Sequence, residues 1–163
     1  MYQVGHYGSA LLAYAPLGTV VSLGGRGDIA IVGGLVCVAL STLPDYDHRL
    51  PLIEHRGPTH TVAFALLVGA GLAALTAVVV DAASAFVGAS VASFAFLVGV
   101  VSIGSHLLAD ALTPMGIQPL WPLSRRRYSL ELTTAANPIA NYGLFGLGIG
   151  AVLAGLSLVF ALG

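Results

Sequence analysis

Hydrophobic residues form five long runs along the chain, separated by short stretches of charged residues, glycine and proline. The runs cover residues 9–23, 29–43, 61–80, 85–112 and 142–162. Apolar runs of this kind predict membrane-spanning helices, which need about 20 residues each. The first two runs are shorter, so they predict tilted helices or a locally thinned bilayer. We therefore expect an all-α fold, a polytopic membrane bundle of about five transmembrane helices.

The composition agrees with a membrane protein. Of the 163 residues, 57% are hydrophobic and only 8% are charged, and the mean hydropathy is +0.93. Soluble domains carry roughly a quarter charged residues, so lipid must cover much of this exterior. The net charge of -1 is uninformative about nucleic acid, but no long basic run suggests it, and we expect no nucleic-acid partner. No repeat or linker divides the chain, which we expect to form a single integral membrane domain over residues 1–163.

The arginines predict the orientation of such a bundle. Five alternating spans place the N-terminus, the second-to-third connection and the fourth-to-fifth connection on one side of the membrane. Five of the six arginines fall on that side: Arg49, Arg56, Arg125, Arg126 and Arg127. Since positive residues are enriched in cytoplasmic loops, we expect this face of a multi-pass cell-membrane protein to be cytoplasmic.

Most residues able to bind a metal map to the same face. All five histidines and three of the five aspartates fall there. They are His6, Asp45, Asp47, His48, His55, His60, His106 and Asp110. Imidazole and carboxylate groups from separate connections commonly assemble metal centres. The sequence therefore predicts a divalent metal ion, with zinc the best suited and manganese or iron as alternatives.

Two local spacings agree with metal binding but have ordinary structural explanations too. His106 and Asp110 are four residues apart in a predicted helix, so they share one face and are placed to bind one ion. A hydrogen-bonded pair at a helix end explains that spacing equally well. Asp45 and Asp47 flank one residue after Pro44 and are placed to converge on a cation, although Pro-Asp-x-Asp is also common turn sequence.

The string His55-Arg56-Gly57-Pro58-Thr59-His60 is the most specific pattern. Its glycine and proline predict a turn that folds the two histidines toward one point. We expect Thr59 to cap the third helix. Arg56 suits an anion such as phosphate or carboxylate. The alternative is that these histidines are polar residues at the membrane interface.

Small residues and caps complete the predicted bundle. Glycines in the second, third and fifth runs favour close helix contacts. They are Gly33, Gly34, Gly69, Gly71, Gly143, Gly146, Gly148 and Gly150. We also expect Asn141 to cap the last helix.

Three ordered strings resemble the YdjM-like family of membrane-bound metal-dependent hydrolases. Residues 44–47, 55–61 and 105–117, followed by a Trp-Pro pair at 121–122, match its PDxD, HRGxTHS and SHLxxDxxTxxG patterns, with Thr61 in place of the usual serine. The resemblance implies a location in the inner membrane and a hydrolase activity. It also implies metal ligation by His6, Asp45, Asp47, His55, His60, His106 and Asp110.

The leading hypothesis is hydrolysis of an ester or phosphoester, including a lipid one. A bound ion would acidify water, Asp47 or Asp110 would take the proton, and Arg56 would stabilise negative charge. Substrate or lipid headgroups would also meet Arg125, Arg126 and Arg127, unless this run only fixes the orientation. The expected partners are membrane lipid and the substrate, with the oligomeric state left open. The alternative is a non-catalytic metal-binding membrane protein or scaffold.

Overall fold

The computed structural model describes residues 1–49, 56–80 and 85–162, and five long α-helices form in these ranges. They are α1 (Gln3–Leu23), α2 (Gly27–Leu40), α3 (Val62–Val80), α4 (Ala85–Ala111) and α5 (Pro138–Leu162). Two short 3-10 helices, Leu43–Arg49 and Pro58–His60, lie between α2 and α3. The described ranges contain no β-strand, only an isolated bridge between Ile117 and Tyr128. The predicted all-α bundle is confirmed.

Within the described ranges, four segments are long and apolar enough to cross a membrane. They are Gly27–His48, Val62–Val80, Ser90–Ala111 and Pro138–Leu162. The 21-residue α1 is not among them. Its polar residues, which include Gln3 and His6, make it less apolar than the other four. The structure thus confirms a membrane bundle of five helices, four of which have the composition of a span.

Helix contacts fix the direction of each element. Helices α1 and α5 run parallel, because Gly8 packs on the Phe145 backbone near their beginnings and Gly155 meets Thr19 near their ends. Helices α2 and α4 also run parallel, since the Ser102 hydroxyl donates to the Cys37 carbonyl at 2.6 Å. These two pairs lie antiparallel to each other, as the short α1–α2 connection requires.

Helix α3 completes this arrangement. It packs antiparallel to α4, with Gly69 against Gly99 midway along both helices. Near its start, Ala65 belongs to the same buried apolar cluster as Ile103 and Leu107 near the end of α4. Helices α1, α3 and α5 therefore begin, and α2 and α4 finish, at one end of the bundle.

Only some of the predicted glycines mediate close packing. Gly33 and Gly34 lie against Tyr14, Gly69 lies against α4, and Gly148 lies against the Gly8 carbonyl. In contrast, Gly71, Gly143, Gly146 and Gly150 have open space where a Cβ would stand. The prediction failed for these four because hydropathy does not say which side of a helix meets a neighbour.

The predicted helix caps are shifted by a few residues. Thr61, not Thr59, caps α3, because its hydroxyl accepts a hydrogen bond from the Phe64 backbone N–H at 3.1 Å. Asn137 caps α5 by accepting from the backbone N–H groups of residues 139 and 140 at 3.0 and 3.3 Å. Asn141 instead accepts from the Tyr2 backbone N–H at 2.9 Å and joins α1 to α5.

Candidate metal centre

Four predicted ligands converge where the two parallel pairs of helices meet. His6 comes from α1, Asp45 from the 3-10 helix after α2, and His106 and Asp110 from the last turns of α4. Each offers one ligand atom, and these atoms all lie within 4.8 Å of one another. His6, His106 and Asp110 are fully buried, whereas the Asp45 side chain is 27% exposed. The cluster therefore reaches the surface of the protein at Asp45.

His60 brings a fifth group to the same point from the turn before α3. Its Nε2 lies 3.0 Å from Nε2 of His106, 3.5 Å from Oδ2 of Asp110 and 3.7 Å from Oδ1 of Asp45. The side chain is fully buried. Pro58 begins this 3-10 turn, where its missing N–H leaves no donor unpaired. The 3-10 turn that starts at Pro58 thus places His60 at the cluster.

The free lone pairs and spacings of the cluster fit a divalent cation. Both ring nitrogens of His6 and Oδ2 of Asp110 are buried without a hydrogen-bond partner among the described residues. Nε2 of His6 lies 3.6 Å from Oδ2 of Asp45 and 3.8 Å from Oδ1 of Asp110. Ligands about 2.1 Å from a tetrahedral zinc ion stand roughly 3.4 Å apart. A cation at this point would satisfy Nε2 of His6 and Oδ2 of Asp110, two buried polar atoms that otherwise have no hydrogen-bond partner among the described residues.

A backbone carbonyl fixes the ring of His106. Its Nδ1 lies 2.7 Å from the carbonyl oxygen of Ser41, so this nitrogen donates and Nε2 is left to face the cluster as an acceptor. The ring also stacks on that of His6, with centroids 3.9 Å apart and planes at 12°. Metal-binding histidines are commonly oriented by such a second hydrogen bond. Sequence reasoning missed Ser41, since any residue supplies a carbonyl.

Asp47 lies on the far side of the His60 ring from the cluster. Its Oδ2 is 3.3 Å from Nδ1 of His60 and accepts from the Thr59 hydroxyl at 2.9 Å and the Arg56 backbone N–H at 3.1 Å. The structure thus places Asp47 outside the four-residue group, behind the imidazole of His60. It also gives Thr59 a role that the sequence did not predict.

The charges around His60 favour a cation at this point. Burial alone lowers the pKa of an imidazole, but the carboxylates of Asp110 and Asp45, at 3.5 and 3.7 Å from its Nε2, outweigh burial and raise the pKa of His60 above its ordinary value. The same negative potential that holds a proton on His60 would attract a metal ion.

Arg56 contacts the other oxygen of Asp110. Its Nη2 lies 3.0 Å from Oδ1, and its Nη1 donates to the Thr113 hydroxyl at 3.1 Å and the Gly116 carbonyl at 2.9 Å. The amino group of Met1 also lies 3.0 Å from Oδ1. Oδ1 therefore faces two cationic groups, while Oδ2 faces the imidazoles of His60 and His106. Arg56 has a φ of 63°, a strained backbone for a residue with a side chain, and these bonds hold it there.

The three predicted arginines after α4 lie outside the cluster. Arg125, Arg126 and Arg127 are exposed in the connection between α4 and α5. Arg127 donates to the Met115 carbonyl at 3.2 Å, and Arg126 lies 5.2 Å from the ring centroid of Tyr128, so both contacts stay within this connection. His55 lies outside the described residues.

A family model covers nearly the whole chain. The family described as YdjM inner membrane protein matches residues 1–162. No curated protein and no solved structure matches the chain significantly. The four apolar spans agree with the inner-membrane location in the family's description. On this match, the chain belongs to the YdjM inner membrane protein family.

Proposed function

We propose that this protein is a membrane-embedded, metal-dependent hydrolase that cleaves an ester or phosphoester at the cytoplasmic face. The proposal rests on one observation: four buried or nearly buried ligand groups from three chain segments lie within 4.8 Å of one another. Ionisable residues at the edge of a membrane bundle are functional candidates by default, because their burial is unfavourable unless they are used. The family resemblance of the strings that carry these residues supports hydrolysis.

Four residues would hold the ion: His6, Asp45, His60 and His106. Asp110 would complete the ligand set whenever it is not accepting a proton. Mixed imidazole and carboxylate ligands favour zinc, with manganese and iron as alternatives. A bound divalent ion supplies Lewis acidity to a substrate oxygen and lowers the pKa of water. Asp47 positions His60 through its Nδ1.

Proton transfer falls to Asp110 rather than Asp47 in this proposal. The Asp47 carboxylate already accepts from Thr59 and from the Arg56 backbone, whereas Oδ2 of Asp110 has no hydrogen bond within the described residues. Water oxygen bonds to the ester carbon or phosphorus while its proton passes to Asp110. The ester C–O or P–O bond then breaks, and the same proton goes to the leaving alkoxide.

Arg56 would bind the developing negative charge. Its side chain is only 9% exposed, and its Nε has no hydrogen-bond partner among the described residues. A buried guanidinium with an unused donor beside the cluster suits an anionic oxygen. The exposed arginines 125–127 would bind lipid headgroups beside the site, which agrees with a cytoplasmic face.

The test measures metal and turnover on the same preparations. Wild type, His106→Ala and the distant control Asp28→Asn are purified in detergent, analysed for bound metal, and assayed with zinc or manganese on ester, phosphodiester and phospholipid panels. We expect His106→Ala to lose metal and at least about 100-fold of the activity, since even residues behind metal ligands are worth 10–100-fold. Equal hydrolysis by His106→Ala and wild type would exclude catalysis at this centre.

One observation favours the non-catalytic alternative. Among the five candidate ligands, only Asp45 has a partly exposed side chain, and enclosed metal sites are typical of structural rather than catalytic ions. Stoichiometric metal in wild type, lost in His106→Ala, with no hydrolysis of any substrate would establish this second function.

A further inference from the structure

A long groove lies between α1, α2 and α5. Its volume is about 700 Å³, within the size range of sites that bind small molecules. It follows one stripe of α1 from Tyr7 to Ser22, and α2 and α5 supply the opposite walls. Apart from a few hydroxyl groups, the side chains that line it are apolar.

One end of the groove adjoins the metal centre. On α1 its wall starts at Tyr7, the residue after His6. On α2 its wall finishes at Ala39, two residues before Ser41, whose carbonyl holds the His106 ring. The partly exposed ligand Asp45 lies in the 3-10 helix that follows α2. Along α1 and α2, the groove residues are therefore followed within a few positions by residues of the centre.

The dimensions and position of the groove fit a hydrocarbon chain. The sixteen residues from Tyr7 to Ser22 correspond to about 22 Å of helix, longer than one leaflet of hydrocarbon at about 15 Å. Two of its walls belong to the spans Gly27–His48 and Pro138–Leu162, so it opens to lipid. If its volume is spread evenly over that length, the channel is about 6 Å across. It is therefore too narrow for an α-helix, whose diameter is roughly 10 Å.

We propose that this groove holds one hydrocarbon chain of a membrane lipid whose ester or phosphoester headgroup lies at the metal centre. The inference rests on the proposed function and names its substrate class: an amphipathic lipid, not a water-soluble ester. The chain enters sideways from the bilayer and brings the bond to be cleaved to the open side of the cluster at Asp45.

The test is photochemical labelling of the full-length protein in lipid nanodiscs. The probe is phosphatidylglycerol with a diazirine on one acyl chain, and mass spectrometry locates the labelled peptides. Ala39→Phe fills the end of the groove next to the centre, where Ala39 is exposed. Ala13→Phe adds the same ring at an exposed position of α1 outside the groove. Val152→Phe narrows the groove from α5, and bound metal confirms that each variant is folded.

We expect labels on groove residues such as Leu11 and Leu35. Labelling there should fall about fivefold in Ala39→Phe and in Val152→Phe, since the ring excludes the chain sterically, and stay unchanged in Ala13→Phe. Labels spread evenly over the lipid-facing surface would overturn the inference. So would labelling that Ala39→Phe leaves intact, or a cross-link to a second copy of this chain.

Hydrolysis assays on short-chain and long-chain esters separate this inference from the proposed function. Loss of long-chain turnover alone in Ala39→Phe supports the groove as the substrate site. If that variant hydrolyses both substrates normally, the groove is not the substrate site, and the proposed hydrolase activity is unaffected. If the groove is labelled specifically but the wild type hydrolyses no substrate, the proposed hydrolase activity and the assignment of the lipid as its substrate are both rejected. The groove is then retained only as a lipid-binding site.

Discussion

Ionisable side chains are buried at one end of the bundle and exposed at the other. At one end, His6, His60, His106 and Asp110 are fully buried against one another. At the other, the ion pair between Arg26 and Asp28 has a distance of 3.9 Å and side chains that are 50% and 78% exposed. Exposed pairs contribute little to stability, whereas burying ionisable groups is unfavourable unless they are paired or bind a metal. The difference indicates that the buried groups could hold a metal ion, whereas the side chains of Arg26 and Asp28 meet water.

The buried end has a charge imbalance that a cation would correct. Asp45, Asp47 and Asp110 bring three negative charges, while Arg56 brings one positive charge and the Met1 amino group another. The imidazoles are ligands only when they are neutral. The buried end therefore keeps one net negative charge when its imidazoles are neutral, which favours a cation there, whereas Arg26 and Asp28 balance each other at the other end.

The largest expected effect comes from removing one ligand charge. Asp110→Asn keeps the size of the side chain but weakens its Oδ2 as a ligand, so metal affinity should fall by more than about 100-fold. Competition titration with a zinc chelator measures it. Asp28→Asn makes the same chemical change at the exposed end and should leave affinity unaltered. Equal losses of metal affinity in both variants would contradict the difference between the two ends.

A smaller loss is expected one step away from the ion. Asp47→Asn weakens the group that orients His60, and metal affinity should fall by about 10–100-fold, the range for groups that support a ligand. Thr59→Val, which removes one donor to Asp47, should have a milder effect in the same titration. If Asp47→Asn is as damaging as Asp110→Asn, then Asp47 is itself a ligand, as the sequence predicted.

Acid should weaken metal binding at the buried end only. The pKa of His60 is raised above its ordinary 6.5, so as the pH falls this ring gains a proton earlier than a free histidine and can no longer bind the ion. Affinity should drop by about tenfold per pH unit for each competing proton, beginning above pH 6.5. Titrations between pH 5.5 and about 8 test the sign, which is contradicted if acid strengthens binding.

The smallest effect is expected at the exposed end. Asp28→Asn removes the ion pair with Arg26 and a negative charge in the first turn of α2, and should change the free energy of unfolding by less than about 1 kcal/mol. Thermal unfolding in detergent measures it. A loss of several kcal/mol would show that this end, too, depends on its charges.

Most of the fold could be predicted because hydropathy is a local property. The runs at 61–80 and 85–112 match α3 and α4 to within one residue, since lipid-facing helices need only length and apolar side chains. The start of α1 was missed by six residues and that of α5 by four. Both starts hold polar residues, His6 and Asn141, whose partners lie on other helices. The hydropathy of a segment does not include such contacts, so it does not predict that these polar residues are helical.

The sequence by itself determined which residues are able to bind a metal and that they share one end of the membrane bundle, because alternating spans dictate sides. Only the tertiary structure decided their roles. It placed Asp47 behind His60, aimed Arg56 at Asp110, and used the Ser41 carbonyl to hold His106. These are contacts between residues up to 65 positions apart. They follow from how helices rotate and pack against each other, which no local pattern of side chains encodes.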